Sequence, residues 1–176
     1  MSERIAIFVD GGNMFYAQRN NNWHLDYVKI KNYFSLNREL YGAYYFTATP
    51  SSDQPEQIKR YRSFRSVLIN NDWTVKDKEI KTIIDKETGD KIVKGNLDIE
   101  LVFRMITTSA GWDTGYLLGG DGDYVPILEY LANSGKKIIV IGRRESTAIE
   151  LINVAHQFID LNSLREHIER KRKESP

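Results

Sequence analysis

The sequence predicts an α/β fold: one domain with a central, mostly parallel sheet flanked by helices. Three observations predict it. Short apolar runs alternate with stretches of helical periodicity along the chain. The runs around Ile5 to Val9, Gly115 to Leu118 and Lys137 to Ile141 are apolar almost throughout, as strands covered on both faces are. Two of these runs empty into acid-bearing, glycine-rich turns just before a helical stretch, Asp10-Gly11-Gly12-Asn13 and Gly119-Gly120-Asp121-Gly122-Asp123. A chain of 176 residues with 41% hydrophobic content suits one domain with its own core.

The elements follow in order. Ile5 to Val9 reads as a buried strand, and Asn13 as the cap of a helix from Met14 to about Asn20. A second helix from Tyr27 to Leu36 has Val28, Ile30, Tyr33 and Phe34 as its apolar positions. Leu40 to Thr47, rich in aromatics, is a strand, and a loop around Pro50 leads to a helix from about Gln54 to Asn70. Trp73 to Lys76 is a short strand. Glu79 to Ile84 and Lys91 to Val93 flank Asp85 to Asp90, whose glycine suggests a hairpin turn. Asp98 to Thr108 is apolar almost all round, as a buried helix is. After the strand Gly115 to Leu118, Asp123 precedes a helix over Tyr124 to Ala132 with Pro126 in its first turn and Gly135 at its end. Lys137 to Ile141 is a strand, Thr147 to Val154 a helix and Gln157 to Leu161 a last strand. Ser163 caps a terminal helix running into Arg170-Lys171-Arg172-Lys173.

Composition narrows the chemistry. With no cysteine there is no disulfide, thiolate zinc site or cysteine nucleophile. The histidines His24, His156 and His167 are too dispersed for a histidine metal site. A net charge of +1 neither demands nor excludes nucleic acid, so any basic surface must be local. The opening apolar run is too short for a signal peptide, and no stretch is long enough to span a bilayer. A soluble cytoplasmic protein with no membrane partner is the expectation; a homodimer stays open.

Ligands of open parallel sheets bind beyond the carboxyl ends of the strands. Asp10 and the pair Asp121 and Asp123 follow strands, and Asp98 reaches the same edge from a helix start. Carboxylates gathered without counter-charge call for hard cations, and Mg²⁺ or Mn²⁺ prefer such oxygen ligands. Such ions assist in-line displacement at phosphorus. Asp10, Asp98 and Asp121 are the expected metal ligands, with Asp123 in a shared role because it also reads as a helix cap. Asn13 can hold a carboxylate or a water beside them. Lys94, Arg143 and Arg144 are the expected phosphate-backbone contacts, and Arg60, Arg62, Arg65, Lys78 and Lys81 weaker ones. Tyr16, Trp23 and Tyr124 are candidates for stacking on bases. A phosphatase of the haloacid dehalogenase type needs a second acid two residues after the first, where this chain has Gly12.

The motifs Ile7-Phe8-Val9-Asp10-Gly11-Gly12-Asn13, Lys94-Gly95-Asn96-Leu97-Asp98, Gly120-Asp121-Gly122-Asp123-Tyr124-Val125-Pro126 and the closing Leu151 to Leu161 segment resemble the NYN domain family in its LabA-like branch, related to PIN-domain nucleases. The resemblance implies a Rossmann-like PIN fold over residues 1–162, followed by a C-terminal helix and basic tail over 163–176. It also implies a Mg²⁺- or Mn²⁺-dependent endoribonuclease acting on RNA, with Asp10, Asp98, Asp121, Asp123 and Asn13 as its catalytic set. Two positions depart from the family pattern: Gly119 stands where Ser or Thr is common, and His156 where an acid is often found. LabA-like proteins include members linked to gene regulation, so a regulatory or RNA-binding module of low or no activity is the alternative.

Overall fold

The computed structural model describes residues 2–79, 81–84, 91–94 and 97–171, with the backbone alone for 81–84 and 91–94. Six parallel strands form the main sheet: β1 (Arg4–Asp10), β2 (Glu39–Thr49), β3 (Thr74–Glu79), β6 (Thr114–Leu118), β7 (Lys137–Gly142) and β8 (Gln157–Asp160). Their spatial order is β3-β2-β1-β6-β7-β8. β4 (Lys81–Ile84) and β5 (Lys91–Lys94) pair antiparallel as a separate hairpin, as expected. Its turn, Asp85 to Asp90, lies outside the described residues, as do Gly95, Asn96 and the tail from Arg172.

The helices are α1 (Gly11–Asn21), α2 (Tyr27–Ser35), α3 (Pro55–Ile69), α4 (Asp98–Thr108), α5 (Val125–Asn133), α6 (Ile149–Val154) and α7 (Arg165–Ile168). Strand alternation divides the core between the two faces of the sheet. Ile5, Ile7 and Val9 of β1 pack with Met14 of α1 and Ile30 and Phe34 of α2. Ala6 and Phe8 pack on the other face with Leu101 and Met105 of α4 and with Leu128 and Leu131 of α5. β6 and β7 follow the same parity, with Leu117 and Val140 on the Phe8 side and Leu118 and Ile141 on the Ile7 side. Each such buried aliphatic contributes about 1.5–3 kcal/mol, so the two faces pin the strand register.

Four expectations change. α1 begins two residues before Asn13, and Asp10 rather than Asn13 caps it. The α5 segment opens with a 3-10 turn, Gly122–Tyr124, before the α-helix itself. α4 is not buried all round: Leu101 and Met105 face the sheet, while Ile99 and Phe103 are 81% and 66% exposed. The turn before α7 is capped by Asp160, whose Oδ1 accepts from the Asn162 N–H, rather than by Ser163. Gly135 ends α5 as expected, with φ +77° in the left-handed region.

Candidate metal centre

β1 and β6 are neighbours in register, Val9 opposite Leu118, so Asp10 and Gly119 leave the sheet side by side. This is the point where the strand order reverses, β1 leading out to β2 and β6 to β7. By parity Asp10 continues the face of Ala6 and Phe8, toward α4 and α5.

Asp10 closes β1 in an extended conformation, and its Oδ1 accepts from the Asn13 backbone N–H at 2.9 Å. Asn13 thus sits in the first turn and contributes its N–H to the cap. A Cβ on Gly11 would come within 2.7 Å of the Phe46 carbonyl oxygen, so glycine lets the helix start hard against β2. Asp121 repeats the device one strand over, its Oδ1 accepting from the Asp123 N–H at 3.0 Å. Asp123 therefore lies inside the 3-10 turn, and capping does not account for its carboxylate. Asp98 opens α4, where the positive end of the helix dipole favours an acid.

One ligand oxygen from each of Asp98, Asp121 and Asp123 lies within 4.8 Å of the others. Asp121 and Asp123 are exposed and Asp98 is half-buried. Among the described residues this is the group of metal-ligating side chains close enough to share an ion. Its donors are carboxylate oxygens only, which fits a hard divalent cation and not a soft one.

Asp10 joins the group through Tyr124. The Tyr124 side chain is fully buried, and its hydroxyl stands 3.0 Å from Asp10 Oδ2 and 2.8 Å from Asp98 Oδ1. Burial and the two carboxylates push this phenol far above its ordinary range, so it stays protonated. It has a single hydrogen for two acceptors, so it donates to one carboxylate at a time. Burial raises the Asp10 carboxyl above its usual range, with the Asp98 charge adding to the effect; the Asn13 and Gly12 N–H groups and the Tyr124 hydroxyl act in the opposite direction. A cation bound beside these carboxylates would favour their charged forms.

Tyr124 is thus a bridge between acids and not a base-stacking platform. Trp23 is also withdrawn from that role, being buried with its Nε1 donating to Asn162 Oδ1. Tyr16 remains exposed. The bridge had a sequence signal: a tyrosine beside two acids in an apolar helix start must find a partner for its hydroxyl when buried.

The loop after β7 packs on the glycines around Asp121. A Cβ on Gly120 would meet Thr147 Oγ1 at 3.0 Å, and the Ala148 N–H donates to the Gly120 carbonyl at 2.9 Å. This loop carries Arg143 and Arg144, which follow β7 at the carboxyl edge of the sheet. Arg143 pairs with Glu145 at 3.1 Å, and the exposed Arg144 holds its guanidinium 4.9 Å from the Phe158 ring centroid. Arg65 and Lys78 are ion-paired with Asp77 and Glu100, which weakens them as phosphate contacts. The side chain of Lys94 lies outside the described residues. His156 stands at the opposite end of the sheet, its Nδ1 accepting from the Ile138 N–H at the start of β7. That departure from the family pattern therefore does not touch the acids. Gly119 does, since a Cβ there would lie 3.5 Å from Asp10 Cβ and 3.4 Å from the Tyr124 ring.

The profile of the NYN domain family matches residues 4–162. The low amplitude and bright protein LabA of Synechococcus elongatus is 38% identical, over 98% of this chain and 91% of that protein. An uncharacterized protein of Methanocaldococcus jannaschii is 26% identical, over 97% of this chain but only 62% of its own length. The crystal structure of a protein of unknown function from Vibrio parahaemolyticus superposes with a TM-score of 0.76 at 23% identity, covering 96% of this chain and 97% of that one, and so shares the fold. No helix among the described residues is long and apolar enough to cross a membrane.

Proposed function

The chain belongs to the NYN domain family, and from that premise we propose that it is a Mg²⁺- or Mn²⁺-dependent endoribonuclease. The observation that carries the reading is the convergence of Asp98, Asp121 and Asp123 within 4.8 Å at the sheet's switch point, with Asp10 tied to Asp98 through Tyr124. Asp98, Asp121 and Asp123 would hold the ion, and Asp10 borders the same crevice. When bound, such an ion supplies charge neutralisation at phosphorus and an acidified water.

The chain's own residues do the rest. Asp10 and Tyr124 fix the carboxylate of Asp98, because Tyr124 is packed in the core and cannot swing away. Asp121 and Asp123 are exposed and face the approaching phosphate. The exposed Arg144 lies on the loop packed against Gly120, placed to meet a neighbouring phosphate. A water attacks phosphorus in line and gives up a proton, and the opposite P–O bond breaks as the leaving oxygen takes one up. The near-neutral charge of the whole chain puts substrate attraction on this local edge.

The test is cleavage of RNA with Mn²⁺ or Mg²⁺ by wild type, Asp10→Asn, Asp121→Asn and Asp123→Asn. Each variant should lose about 100-fold or more in rate. Equal cleavage by all four proteins sinks the assignment. RNA binding with no metal-stimulated cleavage by wild type would instead support a regulatory RNA-binding module.

A further inference from the structure

The helix that Asp10 caps carries an aromatic face that packs on nothing in the core. Gly11, Met14 and Ala17 of α1 are its buried side. Gly12, Phe15, Tyr16 and Arg19 fall in one stripe on the other side, and all four are exposed. Phe15 and Tyr16 are 55% and 63% exposed, unusual for two adjacent large aromatics. Their rings meet edge to face with centroids 5.6 Å apart, and the Arg19 guanidinium carbon stands 6.0 Å from the Phe15 centroid.

Gly12 joins this stripe to the acids, because a Cβ there would lie 3.4 Å from Asp10 Oδ1. Tyr16 is one turn further along the same face. Long side chains on a helix lean toward its N-terminus, which for Tyr16 is the direction of Gly12 and Asp10. α1 contains no acid, and its one charged residue is Arg19. An aromatic pair, a cation and no carboxylate is the composition that receives a base and its phosphate.

We propose that Tyr16, with Phe15 and Arg19, forms a subsite on which an unpaired base next to the scissile phosphate stacks. This rests on the nuclease reading above. A duplex keeps its base faces covered by their neighbours and offers this stripe nothing to stack on. The site acids repel backbone phosphates until a cation is present, and the α1 stripe adds no further repulsion.

Fluorescence anisotropy of a short labelled oligouridine, alone and annealed to its complement, with Ca²⁺ present, tests the subsite on the full chain. Wild type should bind the single strand at least about tenfold more tightly than the duplex, and Tyr16→Ala should lose about tenfold on the single strand. Tyr16→Phe should bind as wild type, since the ring and not the hydroxyl stacks. The Mn²⁺-induced thermal shift of Tyr16→Ala should equal that of wild type, separating stacking from metal binding. Unchanged single-strand binding in both Tyr16→Ala and Phe15→Ala, or equal affinity for duplex, overturns the subsite. If those variants instead lose self-association in sedimentation, the face belongs to a second copy. No RNA binding by wild type overturns subsite and nuclease together. Loss of binding in Tyr16→Ala alongside undiminished cleavage by Asp121→Asn overturns the acid site and keeps the subsite.

Discussion

Replacing Tyr124 with phenylalanine removes one oxygen from the core and leaves the ring in place. The hydroxyl lies 3.0 Å from Asp10 and 2.8 Å from Asp98, but its single hydrogen satisfies one carboxylate at a time. One charge-assisted bond is therefore lost, worth about 1.5–3 kcal/mol. For a domain of this size each kcal/mol moves the melting temperature by about 2–4 °C, so Tyr124→Phe should melt about 3–12 °C lower. Asp10 keeps its bond from the Asn13 N–H, so the start of α1 should hold. Asp98 loses its tether to Asp10, and Mn²⁺ affinity should fall about 10–100-fold, as when other groups that orient metal ligands are removed. Thermal melts with and without Mn²⁺, together with titration calorimetry, measure both quantities. An unchanged melting temperature with unchanged Mn²⁺ affinity would refute the bridge. A lowered melting temperature with full affinity would make it a packing feature with no part in the site.

The other acids and glycines give separate tests. Asp10→Asn keeps a capping oxygen and removes a buried charge, so the metal-free protein should be as stable as wild type or more so, whereas Asp10→Ala should lose about 1 kcal/mol with the cap; chemical denaturation distinguishes them. Asp10 binds its proton more tightly when folded, so its contribution favours the fold at low pH and fades as pH rises from the usual carboxylate range through the raised folded value; wild type should gain on Asp10→Asn as pH falls, a trend read from paired melts. A cation held beside Asp10 favours its charged form, so Mn²⁺ affinity should increase as pH rises through that folded value, read in calorimetric titrations. Gly119→Ser meets only van der Waals contacts at 3.4–3.5 Å, so it should fold normally and, by setting a hydroxyl beside Asp10, raise the cleavage rate; a fall in rate would contradict the geometry. Gly11→Ala drives a Cβ within 2.7 Å of the Phe46 carbonyl and should cost about 1–3 kcal/mol in denaturant melts.

Much of the architecture was legible because period and punctuation agree. The apolar run at Ile5 to Val9 and the glycines after it mark a buried strand and a tight turn, and β1 with α1 follows. The exposed side of α4 was not legible. Ile99 and Phe103 are as apolar as Leu101 and Met105, and only the position of the sheet says which pair is covered. The ends of α1 and α5 moved because Asp10 and Asp121 each stand where a strand stops and can serve as cap from there, a choice made by backbone conformation and not by residue type.

The sequence by itself determined that this is an α/β domain of the NYN family with aspartates after two of its strands, since residue types, spacing and periodicity are local properties. Tertiary structure decided which carboxylates meet. The parallel pairing of β1 with β6 puts Asp10 beside Gly119, and the packing of Tyr124 into the core joins Asp10 to Asp98. It also gave the cap to Asp121 and left Asp123 in the acid cluster. These contacts join residues up to 114 positions apart, and such distances are set by sheet order and side-chain packing, which no local pattern encodes.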